Sequence, residues 1–161
     1  MTPDDLRELC GRPAWSKHVV LWVGRRAKLE ALLDGKPVRW LDLLKLFDED
    51  EPLPADDEER RDEIERRLAE RLMALRPSGS GRCILCVVNA AILSRWKVSL
   101  QAFFEFFGGS RTMVVLTLEG AFPAGRWQTH LEQHLEYHPE GTRRYLTSCL
   151  ADPTQVYAEQ A

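Results

Sequence analysis

His18-Val19-Val20-Leu21-Trp22-Val23-Gly24, running straight into Arg25-Arg26-Ala27-Lys28-Leu29, contains the architecture of the chain in miniature. Its first part is a short apolar run with β-branched residues that closes on glycine, the pattern of a buried strand. From Arg25 to Leu33 the apolar residues Ala27, Leu29, Ala31, Leu32 and Leu33 follow, and Asp34-Gly35 ends the series as a helix stop. Strand, glycine and helix in that order open a βαβ unit.

The same grammar returns downstream. Cys83 to Val88 is apolar throughout and reads as a central strand. A helix in two pieces, Ala90–Arg95 and Ser99–Phe107, ends at Gly108-Gly109, and Arg111 to Thr117 is again a strand. The two strand starts lie about thirty residues apart, the length of a right-handed βαβ crossover. Strands apolar on both faces belong to a parallel sheet covered by helices on each side.

The flanking elements fit this frame. Thr2-Pro3-Asp4 starts a short helix to Leu9, with Thr as N-cap and Pro in the first turn. Pro37 to Leu41 is a second short strand, followed by a helix from Asp42 to about Phe47. Residues 48–57 hold six acidic residues and two prolines, which predicts a solvated, flexible loop. Between Glu58 and Leu75, Ile64, Leu68, Leu72 and Leu75 recur at helical spacing amid charge, an amphipathic surface helix. Leu118 to Gly125 reads as a loop, Arg126 to Tyr137 as a helix, Arg143 to Leu150 as a strand or helix, and residues 151–161 as a loose polar tail. The expectation is one α/β domain over residues 1–161, in three layers, with a mostly parallel sheet flanked by helices.

Composition narrows the class. At 161 residues and 44% hydrophobic, the chain can bury a core and is not a disordered segment. The net charge of −3 gives no bulk attraction to nucleic acid, although 22 Lys and Arg leave room for local basic patches. No apolar run reaches the ~20 residues that cross a bilayer, so no membrane partner is expected. Met1 to Cys10 is polar and acidic, unlike a secretory signal, and the expected location is the cytoplasm. Cys83 and Cys86 form a C-x-x-C, but in a strand residues three apart face opposite ways, so the pair reads as buried thiols.

Four places could carry chemistry. The turn Gly24-Arg25-Arg26-Ala27-Lys28 sits where a P-loop would, yet it lacks the second glycine and the hydroxyl of G-x-x-x-x-G-K-[ST]. Its reading is a solvated basic turn, with phosphate or anion contact through Gly24, Arg25, Arg26 and Lys28 as the alternative. At the end of the central strand, where active P-loop enzymes place an acidic residue for Mg²⁺, stands Asn89, which brings no charge. Both gaps argue against hydrolysis, and no catalytic residue or cofactor is expected. His130, His134 and His138 stand four apart and drift only about 80° around a helix, a metal candidate against the alternative of a solvated face. Among the aromatics, Phe103, Phe104 and Phe107 fit one core stripe, leaving Trp96 and Phe106 as candidates for a partner surface.

The chain resembles the small P-loop protein of bacteriophage-exclusion (BREX) defence systems. The likeness rests on the strand and basic turn Leu21 to Lys28, the Arg-Arg-Leu-x-x-Arg-Leu of Arg66 to Leu72, and Ser110-Arg111-Thr112-Met113-Val114-Val115. His138-Pro139-Glu140 with Arg143, Arg144 and Tyr145 completes it, within residues 18–146. The sequence departs from that family at Gly24–Leu29 and Asn89, so the fold is expected to be P-loop NTPase-like but degenerate. The resemblance implies a cytoplasmic accessory component of a bacterial antiviral complex, a non-catalytic adaptor acting by protein–protein interaction. Its docking surfaces would be the helix Glu58–Leu75 and the segment Trp96–Phe107, with Arg143 and Arg144 also offered to partners. The alternatives are a nucleotide-binding protein or weak NTPase using Arg25, Arg26 and Lys28, and a nucleic-acid-binding accessory using those residues with Arg143 and Arg144.

Overall fold

The computed structural model describes residues 1–15, 19–77, 81–107, 109–119 and 139–159. Helix α1 (Pro3–Cys10) opens the chain with a reciprocal cap: the Asp5 amide donates to Thr2 Oγ1 (3.2 Å) and the Thr2 amide to Asp5 Oδ2 (2.7 Å). Then follow β1 (Val19–Val23), α2 (Arg26–Leu32), β2 (Val38–Asp42), α3 (Asp57–Leu75) and β3 (Cys83–Val88). Helices α4 (Ala91–Arg95) and α5 (Gln101–Phe107), strand β4 (Thr112–Leu118), helix α6 (Pro139–Cys149) and strand β5 (Val156–Ala158) complete the series.

The five strands form one parallel sheet in the order β2-β3-β4-β1-β5. Helices cover both faces, giving the expected three layers. Every residue of β3 and β4 is buried, because the side chains on alternate faces enter two separate cores. The larger core gathers Leu21, Leu85, Val87, Val114 and Leu116 under Ile64, Leu68, Leu72, Phe103, Phe107 and Leu146. The smaller joins Val20, Trp22, Ile84, Cys86 and Val115 to Leu6, Leu9, Leu29 and Leu32 of α1 and α2. Cys83 belongs to the first and Cys86 to the second, so the two thiols do face apart. Burial pushes the Cys10 thiol up to about 11 and that of Cys86 higher still, which makes both inert at neutral pH.

Three segments differ from expectation. The helix expected at Asp42–Phe47 is instead the end of β2 followed by a single 3₁₀ turn, Leu43–Leu46, capped by Asp42 Oδ1 on the Leu44 amide (3.0 Å). The acidic loop is tied down: Arg67 donates through Nη1 to Glu51 (2.7 Å) and to the Leu46 carbonyl (2.9 Å), and lies 4.2 Å over the Phe47 ring. The stretch expected to be a loose tail contributes β5, which pairs with β1 and buries Tyr157 to 3% exposure. The helix expected at Arg126–Tyr137, with Trp127 and the three histidines, lies outside the described residues.

Helix α3 carries a titration signature. Arg66 and Arg67 both donate to Glu63 and hold its carboxyl at about 2, against 4.5 when free. Asp57 is lowered by the Trp96 indole and Glu51 by Arg67. A lowered carboxyl stabilises the fold fully above its unfolded pKa and stops doing so as pH falls through the folded one. The urea midpoint is therefore expected to hold from neutrality to about 4.5 and then decline steadily toward 2. Glu63→Gln should lower it at pH 7 and flatten the acid decline; an unchanged acid limb would show that the Glu63 pairs contribute nothing.

Candidate functional site

Open parallel sheets bind ligands outside the carboxyl ends of their strands, at the point where the chain switches from one face to the other. Here the chain leaves β1 for α2 on the face of the smaller core, whereas the helices after β2 and β3 and before β5 pack on the opposite face. Strands β1 and β4 are neighbours, so their carboxyl ends bound the switch point. A cavity of about 110 Å³ lies beside it, lined by Arg26, Asp42, Asn89, Thr117 and Glu119 among others. It is well below the ~300–1,000 Å³ of pockets that enclose drug-sized ligands.

The turn after β1 is shaped by close packing. A Cβ on Gly24 would come within 2.7 Å of Glu159 Cβ and 3.0 Å of the Trp22 ring, so no larger residue fits without displacement. The Trp22 indole donates to the Arg25 carbonyl (3.2 Å) and holds the turn from below. The Gly24 amide donates to the Leu118 carbonyl (3.0 Å), and the two amides that follow it are also taken. Arg25 N donates to Glu159 Oε2 (2.9 Å), and the Arg25 guanidinium grips the same carboxylate through Nε (2.7 Å) and Nη2. Arg26 N donates to Glu119 Oε1 (2.6 Å). The Arg26 side chain turns away, to Glu30 (2.9 Å) and over the Trp40 ring at 4.4 Å. Lys28 is partly buried, and its charge helps to lower the Glu159 carboxyl, though less than Arg25 does. Gly24, Arg25, Arg26 and Lys28 are thus brought together as the motif suggests, but the protein's own carboxylates fill the anion positions.

Asn89 follows β3 with φ 63°, a left-handed conformation that asparagine tolerates better than most residues. That backbone turn aims its Nδ2 at Asp42 Oδ1, 2.7 Å away. Thr117 spends its hydroxyl on the Val87 carbonyl (2.7 Å). The charge absent at Asn89 therefore reappears one strand over, at Asp42, and again at Glu119 beyond β4. Sequence reasoning missed both. Asp42 looks like a helix cap, which it also is, and Glu119 like a loop residue; no local signal marks their convergence. Two carboxylates facing a polyphosphate would repel it, and the described residues offer the cavity no free lysine or hydroxyl in return.

The remaining candidates scatter. Trp96 is 4% exposed; its indole donates to Asp57 (3.2 Å) and the Arg95 guanidinium lies 4.8 Å above its ring, so it is a core residue. Phe106 is half-buried on α5, at the other end of the sheet, beside a surface groove of about 280 Å³. Arg143 and Arg144 are exposed on α6. His130, His134 and His138 fall outside the described residues, among which no group of His, Cys, Asp and Glu is arranged to hold a metal ion. No described helix is long and apolar enough to cross a membrane. No family model, curated protein or solved structure matches the chain.

Proposed function

We propose that this protein is a non-catalytic scaffold, an adaptor of a multi-protein complex, built on a P-loop-like frame whose phosphate grip has been replaced from within. The observation that carries this reading is the occupation of the Arg25 and Arg26 amides by Glu159 and Glu119. A carboxylate held by the chain itself has no ordering cost left at the moment of binding, so an incoming phosphate must outcompete it as well as bind. The long outer face of α3, with Phe106 and the exposed Arg143 and Arg144, remains for docking. The sequence resemblance suggests a cytoplasmic, bacterial antiphage defence assembly as the setting.

Thermal-shift titration with ATP and with GTP, each with Mg²⁺, is expected to leave the melting temperature unchanged. A ligand at 100 times its dissociation constant would add about 2.7 kcal/mol, several degrees for a domain of this size. A shift of that kind would replace the scaffold reading with a nucleotide-binding one. Co-expression with the products of adjacent genes is expected to yield a stable complex, and elution alone in every pairing would remove the adaptor reading.

A further inference from the structure

The sheet ends differently on its two sides. In β5 the backbone groups facing β1 alternate with those facing outward. The Leu21 amide donates to the Gln155 carbonyl (3.1 Å) and the Glu159 amide to the Val23 carbonyl (2.9 Å). The outward groups are taken by the first residue, since the Met1 amine donates to the Val156 carbonyl (2.9 Å) and the Ala158 amide to the Met1 carbonyl (3.0 Å). On the other side stands β2, and among the described residues only β3 pairs with it. The Ile84 amide donates to the Pro37 carbonyl (2.9 Å). By the same alternation Arg39 and Leu41 bond to β3, while Val38 and Trp40 turn their amides and carbonyls outward. Among the described residues no group bonds to these four.

An open edge is a template for another strand, and natural sheets blunt it with prolines and charges. Pro37 and Arg39 do so here, and Arg39 also makes the edge selective. Its exposed side chain lies on the α3 face, where it donates to the Leu75 carbonyl and enters no ion pair among the described residues. Val38 and Trp40 point to the other face and are half-buried at the margin of the smaller core. An antiparallel strand laid along β2 would exchange both backbone bonds with Val38 through one residue, and both with Trp40 through the residue two places away. The residue between these two would oppose Arg39 at a Cα separation of about 4.5 Å, close enough for a cross-strand ion pair. A second copy of β2 suits this register poorly, because it sets Arg39 against Arg39. We propose that the β2 edge takes up an extended segment of a partner protein by strand addition, one that reads apolar–acidic–apolar with its carboxylate opposite Arg39. Main-chain bonds supply the affinity, and the alternating side chains supply the selectivity. The edge does not include the turn at Gly24, so a thermal shift with nucleotide would remove the scaffold reading and leave this one standing.

Titration of the ¹⁵N-labelled full chain with the heptapeptide Thr-Thr-Val-Glu-Val-Thr-Thr tests it. Saturable amide shifts, largest at Val38 and Trp40, are expected at or below about 1 mM peptide. Lysine in place of the peptide glutamate should weaken binding about fivefold or more. Arg39→Glu should reverse that preference, a readout that loss of folding cannot mimic, and unaltered circular dichroism confirms that the variant is folded. Methylating both valine amides of the peptide removes the donors to the Val38 and Trp40 carbonyls and should abolish binding. Methylating the glutamate amide, which points away from β2, should leave it nearly intact. No saturable shifts, shifts centred away from β2, or equal affinity for the glutamate and lysine peptides overturns the proposal. A dimer in light scattering that the peptide dissociates would instead assign the edge to a second copy of the chain.

Discussion

Removal of residues 153–161 is expected to lower the unfolding free energy by at least about 4 kcal/mol. The segment looks dispensable, being short, polar and last in the described chain. Its contribution comes from position. Tyr157 is 3% exposed in the smaller core, and burying such a ring contributes about 2 kcal/mol. The Leu21 amide donates to the Gln155 carbonyl (3.1 Å) and the Glu159 amide to the Val23 carbonyl (2.9 Å), each bond adding about 1 kcal/mol net. The Ala158 amide donates to the Met1 carbonyl (3.0 Å), and the Met1 amine to the Val156 carbonyl (2.9 Å), so the same strand anchors the start of α1. Against a typical total of about 5–15 kcal/mol this loss is severe. Urea unfolding followed by tryptophan fluorescence measures it; a truncated chain with an unchanged midpoint would show that β5 adds nothing to the sheet.

Trp22→Ala should be comparably damaging. Trp22 is fully buried, and replacing a buried aromatic by alanine costs about 3–5 kcal/mol. The ring also supports the turn at Gly24 and caps the Arg25 carbonyl. Trp22→Phe keeps most of the packing and loses the indole hydrogen bond, so it should cost about 1 kcal/mol beyond the volume change. Denaturant titration separates the two variants. Equal losses from both would mean that the indole N–H, not the ring, carries the stability.

The strands β1, β3 and β4 were legible because a fully buried parallel strand must be apolar at every position, a demand written locally in 19–23, 83–88 and 112–118. The helices α3 and α5 were legible for a related reason: their apolar stripes and the glycines beyond them are local. Strand β5 was not, because three residues carry no periodicity and their pairing depends on the free edge of β1. Asp42 satisfies a local cap and a distant amide at once, and sequence displays only the first. Glu119 and Glu159 fill a turn from roughly a hundred residues away, a relation that no spacing rule encodes. Trp96 illustrates the converse. It falls off the Phe103 stripe, which marks it as surplus to that helix, yet the end of α3 folds over it.

The strand order has a consequence for how the chain is made. β1 is synthesised before any other strand, yet both of its partners, β4 and β5, lie about a hundred residues or more further along. Its unsatisfied amides and carbonyls and its sticky Val-Val-Leu-Trp-Val sequence must wait through most of translation before either neighbour emerges. β2, β3 and β4, by contrast, can zip together in the order in which they leave the ribosome. The first strand out waits longest for a partner, and through that interval its apolar edge stays open to wrong neighbours.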